Sequence, residues 1–301
     1  MLPGVPEVVL THPDKVLIPD GVTKAVLADY YAAVADVLLP HVRDRPLSLQ
    51  VFPGGIGRPG HFLKNVPDYF PDWVRRAELP KRGGTTTHPV ADRPETLRML
   101  VQHNAITLHA PTARLDRPDR PDRFVVDFDP SGGAEDWPHV KRGALLAKSL
   151  LADVGLEPFV LATGSRGIHV VTPLRREAPY GDVLDGLGKA LAAALVETEP
   201  DLFTTAFLKE KRGGRVFVDV LRNRPAQTAV VPYSVRARPG APVATPLRWE
   251  ELDGLTSAAA FTLADVPERV RRDGDPWAEI SAAAASPRSA AKRLAKAAAT
   301  P

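Results

Sequence analysis

The chain has 301 residues, 44% hydrophobic and 25% charged, enough to bury one large domain or two small ones. Without cysteine it has no disulfide, no thiolate zinc site and no cysteine nucleophile, and its net charge of +3 permits nucleic-acid binding without requiring it. No apolar run approaches membrane-spanning length and residues 1–10 are too short and proline-broken for a signal peptide, so a cytoplasmic protein with no membrane partner is expected.

From the N-terminus, residues 10–19 read as a short strand and turn. Thr23 is placed to cap a helix over 24–39, whose apolar positions Val26, Tyr30, Val34, Val37 and Leu38 recur at helical spacing. Lys24 falls in the first turn, where the helix dipole disfavours a cation. It is either a neutral surface charge or, with Lys15 and the helix N-terminus, part of an anion site. Residues 52–60, rich in proline and glycine, form a surface loop. Phe62 and Lys64 at its exit suit base stacking and phosphate contact, and Phe62 suits ordinary core packing as well. Lys81-Arg82-Gly-Gly-Thr-Thr-Thr87 is a basic turn ahead of a strand. A helix over 94–104 leads into a strand over 105–110 that carries His109, a further candidate site residue.

The stretch Arg123-Phe-Val-Val-Asp-Phe-Asp-Pro130 ends an apolar strand in two carboxylates. Strand alternation puts Asp127 and Asp129 on one face and Phe128 on the other. Two such carboxylates repel, and a hard cation between them, Mg²⁺ or Mn²⁺, is the expected remedy. Taken alone, the pair fits a nucleotidyl transferase, a glycosyltransferase, a phosphatase or a solvated strand end.

The order of elements narrows this choice. Strand 123–129, helix 138–154, strands 157–162 and 168–173, helix 182–196 and strand 215–220 make β-α-β-β-α-β, the ferredoxin-like split unit of RNA-recognition modules. In its usual order, 4-1-3-2, the first strand lies between the third and fourth. His169 and Asp219 would then join Asp127 and Asp129, with Phe217 and Asp219 facing away from Val216, Val218 and Val220. Three carboxylates on adjacent strands suit two metal ions about 3.5–4 Å apart. The loop holding Thr163, Ser165, Arg166 and Gly167 offers hydroxyls, backbone N–H groups and a guanidinium to a phosphate, without the Walker A ending. Arg222, Arg224, Arg236 and Arg238 follow, as triphosphate or template contacts or as a solvated rim. A phosphatase would need a further acidic pair after a later strand, which is lacking. A glycosyltransferase stays open, and so does a non-catalytic nucleic-acid-binding module, although such sheets read bases with aromatics rather than acids. Residues 239–247 read as a wrapping arm, 249–280 as short closing helices, and 281–301 as disordered or a frayed basic helix without core contacts.

Seven strings add a resemblance: Asp-Lys-Val-Leu-Ile-Pro at 14–19, Gly-Thr-Thr-Thr at 84–87, Leu-His-Ala-Pro at 108–111, Val-Asp-Phe-Asp-Pro at 126–130, Gly-Ser-Arg-Gly-Ile-His at 164–169, Val-Phe-Val-Asp at 216–219 and Pro-Tyr-Ser-Val-Arg at 232–236. With them the chain resembles the polymerase domain of bacterial ligase D, a member of the archaeo-eukaryotic primase superfamily that acts in non-homologous end joining. The resemblance implies an α+β primase-polymerase fold over 1–280, with an N-terminal α/β half (about 1–120) packed against a split β-α-β catalytic core (about 121–240), then a closing arm and helices (241–280). It implies a template-directed nucleotidyl transferase, favouring ribonucleotides, that fills gaps or extends ends in double-strand break repair. Two divalent cations, Mn²⁺ or Mg²⁺, would sit on Asp127, Asp129 and Asp219. His109, Thr163, Ser165, Arg166, His169 and Arg236 would hold the nucleoside triphosphate. Lys15 and Lys24 would take the 5′-phosphate of a DNA end or gap, and Phe62 with Lys64 would meet the template. Family members often carry a second aromatic where Leu63 stands, a serine at Thr163 and a lysine at Arg166. The sequence shows no ligase or phosphoesterase module, so a free-standing, nucleoid-associated enzyme working with Ku and a separate DNA ligase is expected.

Overall fold

Chain contacts gather the computed structural model, which describes residues 7–81 and 83–298, into two units, each built from three stretches of sequence. One contains the chain to Pro111 together with Thr228–Thr245 and Phe261–Asp275, and the other contains Thr112–Gln227, Pro246–Ala260 and the chain from Pro276. Arg82 of the expected basic turn, and residues 1–6 and 299–301 of the two termini, lie outside the described residues.

In the first unit, the hairpin of β1 (Val16–Ile18) and β2 (Val22–Thr23) delivers the chain to α1 (Lys24–Ala33). Thr23 caps this helix as expected, its Oγ1 accepting from the Val26 N–H at 3.3 Å. The single helix expected over 24–39 is instead two, because α2 (Ala35–Val42) leaves α1 at 78° through Val34. The bend lets Tyr30, Tyr31, Val34 and Leu38 all enter one core, whereas Val26, expected on the apolar stripe, remains 42% exposed. Next come β3 (Ser48–Val51), β4 (His61–Leu63), the hairpin of β5 (Arg76–Lys81) and β6 (Gly84–Pro89), α3 (Pro94–Gln102) and β7 (Ala105–Ala110). β3 pairs with β4 on one side and β7 on the other.

The second unit opens with β8 (Arg123–Asp129), α4 (Trp137–Asp153), β9 (Phe159–Ala162) and β10 (Ile168–Pro173). A continuous helical run follows, made of α5 (Tyr180–Val183), a wider π-type turn over Leu184–Gly188 and α6 (Lys189–Thr198), and then β11 (Phe203–Thr204) and β12 (Val216–Asp219). α4 stops where expected: Gly155 adopts φ +79° and donates to the Ala152 carbonyl, while Leu156 reaches back to Leu151. Ala147 and Leu151 of α4, with Leu191 and Leu195 of α6, are fully buried. β13 (Ala229–Val230) returns to the first unit's sheet beside β7, and β14 (Thr245–Leu247) joins the second unit's sheet. That sheet runs β11-β12-β8-β10-β9-β14, so the expected 4-1-3-2 order stands, with one short strand added at each edge.

Two short helices, α7 (Glu251–Gly254) and α8 (Val266–Asp273), precede α9 (Pro287–Ala298). The expectation of a tail without core contacts fails here. Ala290 and Leu294, four residues apart on one helix face, are 1% and 5% exposed, and the Arg293 guanidinium donates to the Val154 carbonyl at 3.0 Å. Composition alone hides this, because one alanine and one leucine a helical turn apart make the buried contact within a stretch otherwise of small and basic residues.

Candidate active site

Register assembles the site. Antiparallel pairing sets Asp219 of β12 opposite Asp127 of β8, and sets His169 of β10 opposite the same Asp127. Directly opposed residues project to the same side of a sheet, so these three side chains form one row across three adjacent strands. Asp129, two residues further along β8 and opposite Phe217, shares that side. Phe128, Val218 and Ile168 take the other side and are wholly buried. The alternation expected for the fourth strand of the split unit therefore holds.

Guanidinium groups balance the acids. Asp127 accepts from Arg222 Nη2 at 3.3 Å and lies 3.5 Å from His169 Nε2. Burial pushes its pKa up, but the His169 and Arg222 charges outweigh burial and hold it at about 2. Asp219 goes the other way. Burial first, then the neighbouring Asp127, raise its pKa, and Arg222 at 3.5 Å offsets only part of that. Asp129 is held from two sides, by Arg166 Nη2 at 3.0 Å and Arg212 Nη1 at 2.9 Å. Arg212 is buried; it also donates to the Ala206 and Phe207 carbonyls and lies 4.4 Å over the Phe217 ring.

The expectation of a cation separating the carboxylates thus meets a different arrangement. Among the described residues no three His, Cys, Asp or Glu side chains are grouped to hold an ion, because the acids lean toward arginines. The donor chemistry still fits a hard divalent cation. Three carboxylates share one face, and burial first, then the adjacent Asp127, raise the pKa of Asp219 despite Arg222 beside it. Sequence reasoning misses Arg212. Its signal is a basic turn, Lys209-Glu-Lys-Arg-Gly-Gly214, feeding a strand that ends in an acid.

In the loop before β10, Thr163 Oγ1 donates to the Gly167 carbonyl at 2.7 Å and accepts from the Ser165 N–H at 3.3 Å. The Thr163 hydroxyl therefore closes the turn, and Ser165 and Arg166 are the loop's more accessible members.

The other expected site residues belong to the first unit. Phe62, 58% exposed, has its ring centroid 5.5 Å from that of His109. Lys64 is exposed just beyond β4, and Arg236 is half-buried with its N–H on the Pro242 carbonyl at 2.7 Å. Lys15 and Lys24 are adjacent, the Lys24 N–H donating to the Lys15 carbonyl at 2.9 Å. The Lys15 ammonium contacts the Pro53 carbonyl. Lys24 is no surface charge: its buried ammonium donates to the carbonyls of Thr11 at 2.9 Å and Gln102 at 3.1 Å. Disfavoured by its own helix, it neutralises the negative C-terminal end of α3. Burial, and then Lys15, lower its pKa.

The family model for the LigD primase-polymerase domain matches residues 23–277. The multifunctional non-homologous end joining DNA repair protein LigD of Mycobacterium tuberculosis is 36% identical over 277 residues, covering 89% of this chain and 36% of that protein. The Pseudomonas aeruginosa multifunctional non-homologous end joining protein LigD is 34% identical over 285 residues, covering 90% and 32%. The chain thus spans about a third of the length of these curated relatives. Among solved structures, the polymerase domain of Mycobacterium tuberculosis ligase D in complex with DNA matches with a TM-score of 0.84 at 35% identity, over 93% of this chain and 99% of that one.

Proposed function

This chain belongs to the LigD primase-polymerase domain family, a family of nucleotidyl transferases, and we propose that it extends a primer on a DNA template at gaps and broken ends bearing a 5′-phosphate. The primer 3′-hydroxyl attacks the α-phosphate of a nucleoside triphosphate, forming a phosphodiester and releasing pyrophosphate. The observation that carries this reading is the row Asp219–Asp127–His169, with Asp129 on the same face. Asp127, Asp219 and Asp129 are the groups that would hold two divalent cations, Mn²⁺ or Mg²⁺, whose charge would activate the hydroxyl and neutralise the triphosphate. The remaining work falls to the chain's own side chains. Arg166, Arg212 and Arg222, which now hold carboxylates, can each exchange a carboxylate for a phosphate oxygen. His169 orients Asp127 and stands ready to donate to phosphate. We assign His109, Arg236, Thr163 and Ser165 to the nucleotide, Phe62 and Lys64 to the template, and ribonucleotides as the favoured substrate. In the cell we place the chain in the cytoplasm at the nucleoid, joining broken ends with Ku and a DNA ligase. No single helix among the described residues is long and apolar enough to cross a membrane.

Primer extension tests the reading. With a 5′-phosphorylated gapped template, labelled nucleotide and Mn²⁺, the expected result is template-directed addition, faster with ribonucleotides than with deoxyribonucleotides. Sugar-nucleotide turnover without extension would overturn it.

The two lysines should separate in a way the sequence does not foretell. Lys15→Ala should lower the preference for a 5′-phosphate over a 5′-hydroxyl gap about ten-fold, with little change in stability. Lys24→Ala should lower that preference and also destabilise the fold by about 1–3 kcal/mol, because the Thr11 and Gln102 carbonyls lose a buried donor. Binding of paired substrates at fixed salt, with thermal unfolding of each variant, measures both. A wild type indifferent to the 5′-phosphate removes the assignment.

A further inference from the structure

Tyr69 is 65% exposed, and unlike an isolated surface aromatic it is held in place. Its hydroxyl is hydrogen-bonded to His103 Nδ1, and the two ring centroids are 5.7 Å apart. His103 is fixed in turn: the buried Phe70 ring meets it edge-on at 5.4 Å and 77°, and its N–H closes the end of α3 on the Met99 and Leu100 carbonyls. The phenol face is thus ordered before anything binds, so a ligand stacking on it would lose little entropy in the process.

Its surroundings give the ligand a chemistry. Residue 102, next to His103, supplies the carbonyl that the Lys24 ammonium grips, and Lys15 adjoins Lys24. Burial first, then the His61 and Lys24 charges, lower the pKa of His103. His61 is the neighbour of Phe62 in β4. The end of α3 therefore brings the lysine pair beside the His103–Tyr69 pair, in the same unit as exposed Phe62. A cationic pair beside an open aromatic ring is what a nucleic-acid strand binds, phosphate on the first and a base on the second.

We propose that Tyr69 is a further DNA-contacting residue, offering a stacking face to a template base beside the 5′-phosphate site at Lys15 and Lys24, with His103 as its positioning residue. This rests on the reading of the chain as a DNA-templated enzyme.

The test uses the whole chain and gapped, 5′-phosphorylated DNA carrying 2-aminopurine at successive template positions across the gap. Wild type should quench the probe at one position beyond the one reporting Phe62. Tyr69→Phe keeps the ring and loses its hydrogen bond to His103, so it should show a weakened quench and bind within about two-fold of wild type, whereas Tyr69→Leu should lose the quench and bind about ten-fold more weakly. His103→Ala, which removes that bond and the ring contact with Phe70, should weaken the quench at that position and leave the Phe62 position unchanged. Tyr69→Leu with wild-type affinity and quench pattern overturns the proposal and leaves the polymerase reading intact. A wild type that does not bind gapped DNA overturns both. Because Tyr69 is exposed, its replacement does not threaten the fold.

Discussion

Asp127→Asn and Asp219→Asn should each lower primer extension by at least about 10²–10³-fold, while moving stability in opposite directions. Both remove a carboxylate from the row on which we place the chemistry. Asp127 is the acid that His169 and Arg222 stabilise; its folded pKa of about 2 lies below the ordinary carboxylate value. Its contribution to stability is therefore fully present above the ordinary carboxylate range and is lost as pH falls toward about 2. Replacing it by asparagine should cost about 1–3 kcal/mol at neutral pH. Asp219 has its pKa raised by burial and by Asp127, so its ionisation at neutral pH works against the folded state. Asparagine there keeps an oxygen for the Leu221 N–H, now bonded at 2.7 Å, and removes the repulsion. The melting temperature of Asp219→Asn should equal or exceed that of wild type. Extension assays with Mn²⁺, thermal melts without added metal and DNA-binding titrations give the three readouts, and binding should change least. If either variant extends primers at the wild-type rate, the row is structural and the assignment fails.

The acids were legible in the sequence because strand alternation and the order of a split β-α-β unit are both written in apolar periodicity. Asp127 and Asp129 share a face by a rule of period two, and Asp219 joins them through one topological assumption that the sheet order supports. Of their counter-ions, Arg212 was not legible. Arg212 reaches Asp129 from a turn 83 positions away in sequence, and nothing in a basic turn tells whether it faces solvent or a carboxylate. Lys24 shows the same limit from the other side. Its conflict with the dipole of α1 is visible locally, but the resolution, the carbonyl end of α3, lies 78 positions on. The bend at Val34 carries no glycine or proline of its own, so helical spacing ran straight through it.

Gly167→Ala should do more damage than removal of any single hydrogen bond around the site. A Cβ at residue 167 would lie 2.2 Å from the Phe128 carbonyl oxygen, 3.2 Å from its carbon and 3.5 Å from Asp127 Oδ1. The obstacle is backbone, not the end of a flexible side chain, and that backbone is locked between two strands, Phe128 facing Ile168 on one side and Val218 on the other. To accept the methyl group, β10 must draw away from β8 by close to an ångström. Overpacking against an unyielding neighbour costs about 3 kcal/mol or more at the severe end of its range. The displacement also falls where His169 meets Asp127, and a misplacement of about 1 Å in a catalytic constellation lowers rate about 10²-fold. Extension should therefore fall about a hundred-fold even under conditions where circular dichroism shows the variant folded. Gly181→Ala is the matched control. It lies in α5 with nothing within 4 Å of its added Cβ, so it should hold or raise stability by about 0.5–1 kcal/mol and leave extension unchanged. Equal stability and activity in Gly167→Ala and wild type would mean that the start of β10 is free to shift, and that the close approach of Gly167 to Phe128 does not set the geometry of the row.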